Sequence, residues 1–477
     1  MNGMSTLPPP MGLSSGAWTQ LQACLPANQW RVADQVHALD TGWHPANLDA
    51  GLMAMPATVE QLSALVRCCH EWGIAMVPQG GRTGLVGGGI SRPGQLIVST
   101  AALNRIERMD AVSRVALVQS GLSLQSLQEA AAVHGLEPGI DLAARGSATI
   151  GGMLATNAGG IMAFRNGVMR HRVLGLEAVL PDGSIYSDLT QIVKNAAGYD
   201  LKHVFIGAEG TLGIITRVAL SLTPLPQATS TALFGLPDMA ALTDTVRLAL
   251  EVDCGHLRAA EALWPEYLRL TAEALSWRTP GMSLDCPVYL LLELGGKQAE
   301  RLQQTFEELY EQLLARHPDA QGVIAGSAEQ ARTLWRLRED TEAIYRRFPQ
   351  APSFDVSVPL ARMEDYVVQV RSALEKLRPA GTPVFMFGHV ADGNLHMVLG
   401  EPGPLAGQAR MAVEEAIYSP LHGLGGSFSA EHGIGAHRIR ALRNYCDPVK
   451  WRLMQQIKRQ WDPRGLMNPG KVLDEGG

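Results

Sequence analysis

Cysteine is scarce in this chain and poorly placed for cross-linking. Six occur (Cys24, Cys68, Cys69, Cys254, Cys286 and Cys446), and none forms C-x-x-C. The scatter is unlike a disulfide scaffold, so reduced thiols in a cytoplasmic protein are expected. Long apolar runs are missing as well. Nothing reaches the roughly 18 consecutive apolar residues that a membrane-spanning helix needs. The N-terminus has no basic start followed by an apolar core, which argues against a signal peptide. Its first 16 residues, rich in Pro, Ser and Gly, are expected to carry no fixed structure. Strong charge is absent too: 46 acidic against 40 basic side chains give a net −6, no reason to expect nucleic acid or an anionic membrane. Peripheral attachment to a membrane stays open. No internal repeat recurs at a fixed period.

What is present is a chain of 477 residues, 46% hydrophobic and 18% charged, long enough for about two or three soluble domains. The most informative stretch runs from Phe387 to Val398. Asp392-Gly393 between extended apolar runs is a short hairpin signal. A two-residue loop there would place Ala391 opposite Asn394, Val390 opposite Leu395 and His389 opposite His396. Directly opposed side chains have Cβ atoms roughly 4.5–5.5 Å apart, close enough for two imidazoles to hold one metal ion. The plainer alternative is a histidine pair that only packs or meets water. A third ligand has to come from elsewhere.

Glycine is abundant, 50 residues in all, and much of it is clustered. Pro78-Gln79-Gly80-Gly81-Arg82-Thr83-Gly84 and its continuation to Gly89 follow an expected strand. Successive glycines let main-chain N–H groups approach a phosphate. Neither G-x-G-x-x-G nor G-K-[ST] is matched, so a nicotinamide Rossmann unit and a P-loop are both excluded. Small residues and hydroxyls run again from Gly146 to Gly160, and Gly207 to Ile215 makes a tight turn entering a strand. Three such loops in one domain point to a dinucleotide-sized ligand.

The first 225 residues or so mix helix and strand. Thr58 with Gln61 forms a capping box that opens a helix closed by Gly73, and Ser123 caps another that stops at Gly135. Strands are expected at 74–77, 96–99 and 211–222, with a hairpin around Pro181-Asp182-Gly183. Thr223-Pro224-Leu225-Pro226 marks a boundary. Residues 226–418 then read as an α+β domain with an antiparallel sheet. Residues 419–477 hold Ser429-Ala430-Glu431-His432-Gly433 and a helix through Trp461.

These motifs, in this order, resemble one family. The first domain is similar to the two-part FAD-binding fold of the vanillyl-alcohol oxidase and p-cresol methylhydroxylase flavoproteins. The whole chain, about residues 40 to 473, resembles their D-2-hydroxyacid dehydrogenase branch, which includes D-lactate and D-2-hydroxyglutarate dehydrogenases. The motifs that carry the likeness are Pro78–Gly89, Gly146–Gly160, Gly207–Ile215, Gly388–His396, Ser429–Gly435 and Asp462–Lys471. The resemblance implies an α+β protein whose cap domain carries substrate and whose C-terminal segment returns to the flavin. It implies that Pro78, Gly80, Gly81, Thr83 and Gly84 cradle the FAD pyrophosphate, and that Gly146, Thr149, Gly152, Asn157, Gly159 and Gly160 line the flavin. Glu209, Gly213 and Ile215 would lie near the adenine or ribose, and Asn468 near the isoalloxazine. It also implies that His389, His396 and Glu431 hold a divalent metal, zinc foremost with manganese or iron(II) as alternatives. His432 would be the catalytic base.

Oxidising a 2-hydroxy acid requires loss of a hydroxyl proton, transfer of hydride to flavin N5 and a grip on the carboxylate. Glu431 and His432 would face opposite ways in a regular strand. Gly433 and Gly435 permit an irregular loop that brings both to one site. Asn394 either reaches the substrate or only stabilises the turn. Arg338 with Thr341 resembles the family's carboxylate-binding segment, one residue short in spacing; an ordinary solvated helix face is the alternative. Several relatives carry lysine two residues before Asp355, where this chain has Ser353. That weakens a second-carboxylate substrate more than a D-lactate-like one. The expected electron acceptor is a quinone, an electron-transferring flavoprotein or a cytochrome; a homodimer is left open. The competing expectations are a metal-free alcohol or glycolate oxidase subunit of the same fold, or a non-catalytic flavin- or metal-binding protein.

Overall fold

The computed structural model describes residues 12–253, 257–278 and 281–474. Cys254 and residues 1–11 lie outside the described residues. Ser14 caps a helix at Ser15–Cys24, which takes in the last residues of the Pro-, Ser- and Gly-rich stretch. The chain divides into two units: residues 1–159, 166–224 and 432–477 form the first, and 160–165 with 225–431 form the second. Among the described residues no helix is long and apolar enough to cross a membrane.

The first unit holds two main sheets. A four-stranded sheet runs in the order Trp30–Val32, Leu52–Ala54, Leu96–Ser99, Met76–Gln79, its last three strands parallel. A five-stranded antiparallel sheet is centred on Ile214–Ser221. Each has its own apolar core. Local chemistry explains the boundaries. Thr58 accepts from the Gln61 amide at 3.2 Å to start the helix Val59–Trp72, and Gly73 closes it at φ 69°. Ile74 then returns its amide to Cys69, which delays the following strand to Met76. The C-terminal segment comes back to this sheet. Met76 takes Leu466 and Asn468 as backbone partners at 2.7 and 2.8 Å, which fixes Asn468 beside the strand that leads into the Pro78 loop.

The second unit is built on a seven-stranded sheet with every described pair antiparallel: Gln321–Ile324, Ala228–Leu236, Val288–Gly296, Leu257–Leu263, Val384–His389, Asn394–Leu399, Ser353–Ser357. Val384–His389 and Asn394–Leu399 are buried along their whole length, as strands inside a covered sheet must be.

The hairpin between these two strands differs from the two-residue loop expected. The loop has four residues: Val390–Asp392 make a 3-10 turn and Gly393 sits at φ 79°. Val390 C=O accepts the Gly393 amide at 3.1 Å, so the turn closes one step earlier in the chain than an Asp-Gly pair alone would close it. The register becomes Phe387 opposite His396, and continuing it sets His389 against Asn394. The histidines are therefore diagonal neighbours on one face rather than directly opposed. Their rings still meet edge to face, with centroids 5.5 Å apart.

Candidate functional site

The metal-type group is assembled by register. Glu261 pairs with His389 across one strand boundary, and Asp355 pairs with His396 across another. Four adjacent strands thus carry a row of carboxylate, imidazole, imidazole, carboxylate on one face. Glu261 Oε1 lies 2.6 Å from His389 Nδ1. Asp355 Oδ1 lies 3.5 Å from His396 Nδ1. Both outer nitrogens point at carboxylates, so both Nε2 atoms point inward. They lie 3.7 and 3.8 Å from the same oxygen, Glu431 Oε2. A carboxylate–histidine pairing that leaves Nε2 free to ligate is the usual support of a metal-binding imidazole.

Glu431 is itself held. Its Oε1 accepts the Gly160 amide at 2.7 Å, and its own amide donates to Asp355 Oδ2 at 2.9 Å. Asp355 Oδ1 also accepts Asn394 Nδ2 at 2.8 Å. Asp355, His396 and Glu431 each offer a ligand atom within 4.8 Å of the others. Electrostatics bind the group together. Burial alone would raise the Glu261 pKa, but His389 and Arg338 outweigh it and hold the carboxyl well below its usual range. Burial likewise opposes a charged His389, and Glu261 and Glu431 outweigh it, so its pKa lies well above the ordinary value. Glu431 is depressed in the same way, chiefly by His389 against burial. A buried set of carboxylates that draws protons onto its imidazoles is a set in which one divalent cation can replace those protons. The donors, two neutral imidazoles with one or two carboxylates, suit zinc and also manganese or iron(II).

Asn394 shares this face. Its Nδ2 donates to Asp355 and to Val356 C=O, and its buried Oδ1 has no partner among the described residues. That acceptor is placed for a ligand hydroxyl. Arg338 does not lie on a solvated helix face. It is buried, its Nε donates to Glu261 Oε2 at 2.7 Å, and its guanidinium lies 4.9 Å above the Phe387 ring. Thr341 precedes the helix Glu342–Arg347 without capping it through its side chain. Ser353 opens its strand and is exposed. His432 follows Glu431 directly where the chain re-enters the first unit. No regular strand forms there, and Gly433 and Gly435 take φ of 80° and 53°.

In the first unit the three glycine loops converge. A Cβ on Gly80 would fall 2.2 Å from Thr149 Oγ1, and one on Gly81 would fall 1.8 Å from Ser147 C=O. Only glycine lets the Pro78–Gly84 loop touch the loop that opens the helix Ile150–Thr156. Thr149 caps that helix through the Gly152 amide, and Asn157 ends it at φ 54°. The third loop docks on the same helix end: Gly207 and Glu209 donate their amides to Leu154 and Ala155 at 3.0 and 2.8 Å. A Cβ on Gly210 would touch Pro78. Gly213 passes tightly between Val179 and Phe205 into the strand that carries Ile215. Gly84 faces open space and Gly146 is exposed. Thr83 and Gly159 lie within the loops so joined, while Gly160 begins the second unit and spends its amide on Glu431.

The Asn468 side chain donates to Glu209 C=O at 2.8 Å and Gly88 C=O at 3.2 Å, leaving a buried Oδ1 with no partner among the described residues. The cradle and this unanswered acceptor fit a large polar cofactor such as FAD. The Glu209 side chain is engaged within the protein. Its two carboxylate oxygens accept the Ile434 and Gly435 amides at 2.7 and 2.8 Å. Burial pushes its pKa up to about 7 even though those amides favour the charged form.

Sequence reasoning missed Glu261 entirely and noted Asp355 only as the neighbour of Ser353. Leu257–Leu263 is rich in alanine and reads as helix, so its strand and its register against His389 could not be seen. An aspartate alternating with apolar residues in 353–357 was the one available signal for Asp355.

The chain is similar to known proteins over most of its length. The family described as FAD binding domain matches residues 50–189, and the family described as FAD linked oxidases, C-terminal domain, matches residues 225–472. A mitochondrial D-2-hydroxyglutarate dehydrogenase of Rattus norvegicus is 35% identical over 422 residues, covering 88% of this chain and 78% of that protein. A D-2-hydroxyglutarate dehydrogenase of Xanthomonas citri pv. viticola is 36% identical over 443 residues, covering 91% and 90%. Among solved structures, p-cresol methylhydroxylase with substrate bound superposes with a TM-score of 0.74 at 18% identity, covering 98% of this chain and 99% of that one. At that identity the likeness is one of fold.

Proposed function

We propose a function from one premise: the chain belongs to the FAD-linked oxidases. It oxidises a D-2-hydroxy acid to the 2-keto acid and passes the two electrons to an acceptor other than nicotinamide. The observation that carries this reading is the pair of His389 and His396 Nε2 atoms 3.7 and 3.8 Å from one Glu431 oxygen, each imidazole backed by its own carboxylate.

Bound FAD supplies a hydride acceptor at N5. A divalent cation held by His389, His396 and Glu431 supplies the Lewis acidity that eases loss of the substrate hydroxyl proton. The chain does the rest. His432 takes the hydroxyl proton, a role for which an imidazole suits the working pH. Asn394 Oδ1 accepts from the substrate before that transfer and orients it. Arg338, committed to Glu261 through Nε, offers its terminal NH2 groups to the substrate carboxylate, with Thr341 beside it. Pro78, Gly80, Gly81, Thr83 and Gly84 present main-chain amides to the pyrophosphate, with Gly146, Thr149, Gly152, Asn157 and Gly159 along the cofactor. Asn468 Oδ1 accepts from its polar ring edge.

The relatives' names make D-2-hydroxyglutarate the first substrate to try. Ser353 favours a second reading, a shorter D-lactate-like acid. By alternation Ser353 lies on the Asp355 face, and it offers no cation to a distal carboxylate. Quinone, electron-transferring flavoprotein or cytochrome takes the electrons. The test is dye-coupled turnover across paired D- and L-2-hydroxy acids. D-specific oxidation, with a chain-length optimum, is expected. A colourless protein that takes up no FAD, or turnover without enantiomer preference, would overturn the reading.

A further inference from the structure

The Arg338–Glu261 pair lies behind His389, joined to it through the Glu261 carboxylate. Glu261 is fully buried in the middle of the sheet and directly opposite His389. Both of its oxygens are in use: Oε1 lies 2.6 Å from His389 Nδ1, and Oε2 accepts Arg338 Nε at 2.7 Å. Arg338 is fixed from three sides. Its carbonyl accepts the Tyr267 hydroxyl at 2.7 Å, its guanidinium lies over Phe387, and Tyr267 stacks on that same ring with centroids 4.2 Å apart. A fork so held cannot swing freely between substrate and solvent. Without Arg338, Glu261 Oε2 would lose its donor at this depth, and the carboxylate would no longer be held in line with His389 Nδ1.

We propose that Arg338 and Glu261 act as a positioning pair for His389, keeping Nδ1–H donated outward so that Nε2 faces the Glu431 oxygen. Arg338 is then a determinant of cation affinity, acting through Glu261, whether or not it also meets the substrate carboxylate. The inference rests on the metal reading above and goes beyond it. It extends the support of His389 from Glu261 to the arginine behind it, and gives Arg338 a second role.

The experiment compares the FAD-loaded wild-type protein with Arg338→Met, Arg338→Lys and Glu261→Gln. Zn2+ affinity is read without substrate, by competition with a chromogenic chelator, alongside KM and kcat. Loss of a carboxylate behind a metal-bound histidine weakens metal binding by about 10- to 100-fold. Arg338→Met and Glu261→Gln should each fall in that range, with FAD content unchanged. The double variant should fall no further than Glu261→Gln alone, because both act along one path. Arg338→Lys, which keeps the charge but not the fork, should recover part of the affinity, and it serves if the methionine variant does not fold. Wild-type Zn2+ affinity in Arg338→Met with only KM raised would make Arg338 a carboxylate clamp and nothing more, and would overturn the inference alone. Wild-type protein that binds no Zn2+ and turns over in chelator would overturn the metal reading, and this inference with it.

Discussion

Replacing Glu209 by Gln separates two roles that one carboxylate plays in the loop after His432. Its oxygens accept the Ile434 and Gly435 amides, and Gly433 and Gly435 hold that loop in left-handed turns. Burial raises its pKa from 4.5 to about 7. At 1.36 kcal/mol per unit this amounts to roughly 3 kcal/mol. The folded pKa lies above the unfolded one. The stabilisation is therefore fully present below about pH 4.5 and is lost as the pH rises through 7. Gln does not titrate, so its variant lacks that slope. Gln also offers one acceptor where two amides need one, and a buried amide without a partner costs about 1–3 kcal/mol. The variant should thus be less stable than wild type at pH 5, and the gap should close or reverse by pH 8. Urea unfolding across that range measures the gap, and hydrogen exchange at the Ile434 and Gly435 amides reports the same loop locally. A difference independent of pH, with unchanged exchange at both amides, would refute the reasoning.

Other variants probe the two sites separately. His396→Ala should lose the bound cation while FAD stays, checked by metal analysis against flavin absorbance. Gly81→Ala drives a Cβ to 1.8 Å from Ser147 C=O; a backbone atom cannot yield cheaply, so FAD affinity should drop by about tenfold or more, measured by titration of the apoprotein. Gly84→Ala faces open space, so it should leave apoprotein stability unchanged and weaken only FAD binding. His432→Gln should slow flavin reduction by about 10²–10⁴-fold in stopped flow with metal content retained, the usual range for a lost general base.

Much of this arrangement is legible in the sequence. The helix starting at Thr58 and ending at Gly73, the strand Leu96–Ser99 and the flavin-type loops follow from local chemistry that a sequence displays directly. The histidine pair was legible as a pair but not in register. A loop of four rather than two residues depends on how Val390 and Gly393 close the turn, and that is settled by packing. Glu261 was invisible because alanine-rich segments favour helix in isolation and become strands only when a sheet covers both faces. A solvated helix face stood as the alternative to a carboxylate clamp for Arg338 because its partners, Glu261 and Phe387, are far away in sequence. Contacts made across strands leave no periodic trace along the chain.

On the proposed mechanism, a D-2-hydroxy acid reduces the bound flavin only with a divalent cation in the His389–His396–Glu431 group. Anaerobic mixing of FAD-loaded enzyme, first stripped by chelator and then resupplied with Zn2+ or Mn2+, tests it most directly. D-2-hydroxyglutarate or D-lactate should bleach the stripped enzyme slowly or not at all, one equivalent of metal should restore bleaching, and the L-enantiomers should not bleach it. Full-rate bleaching by the stripped enzyme, or equal bleaching by both enantiomers, would contradict the mechanism.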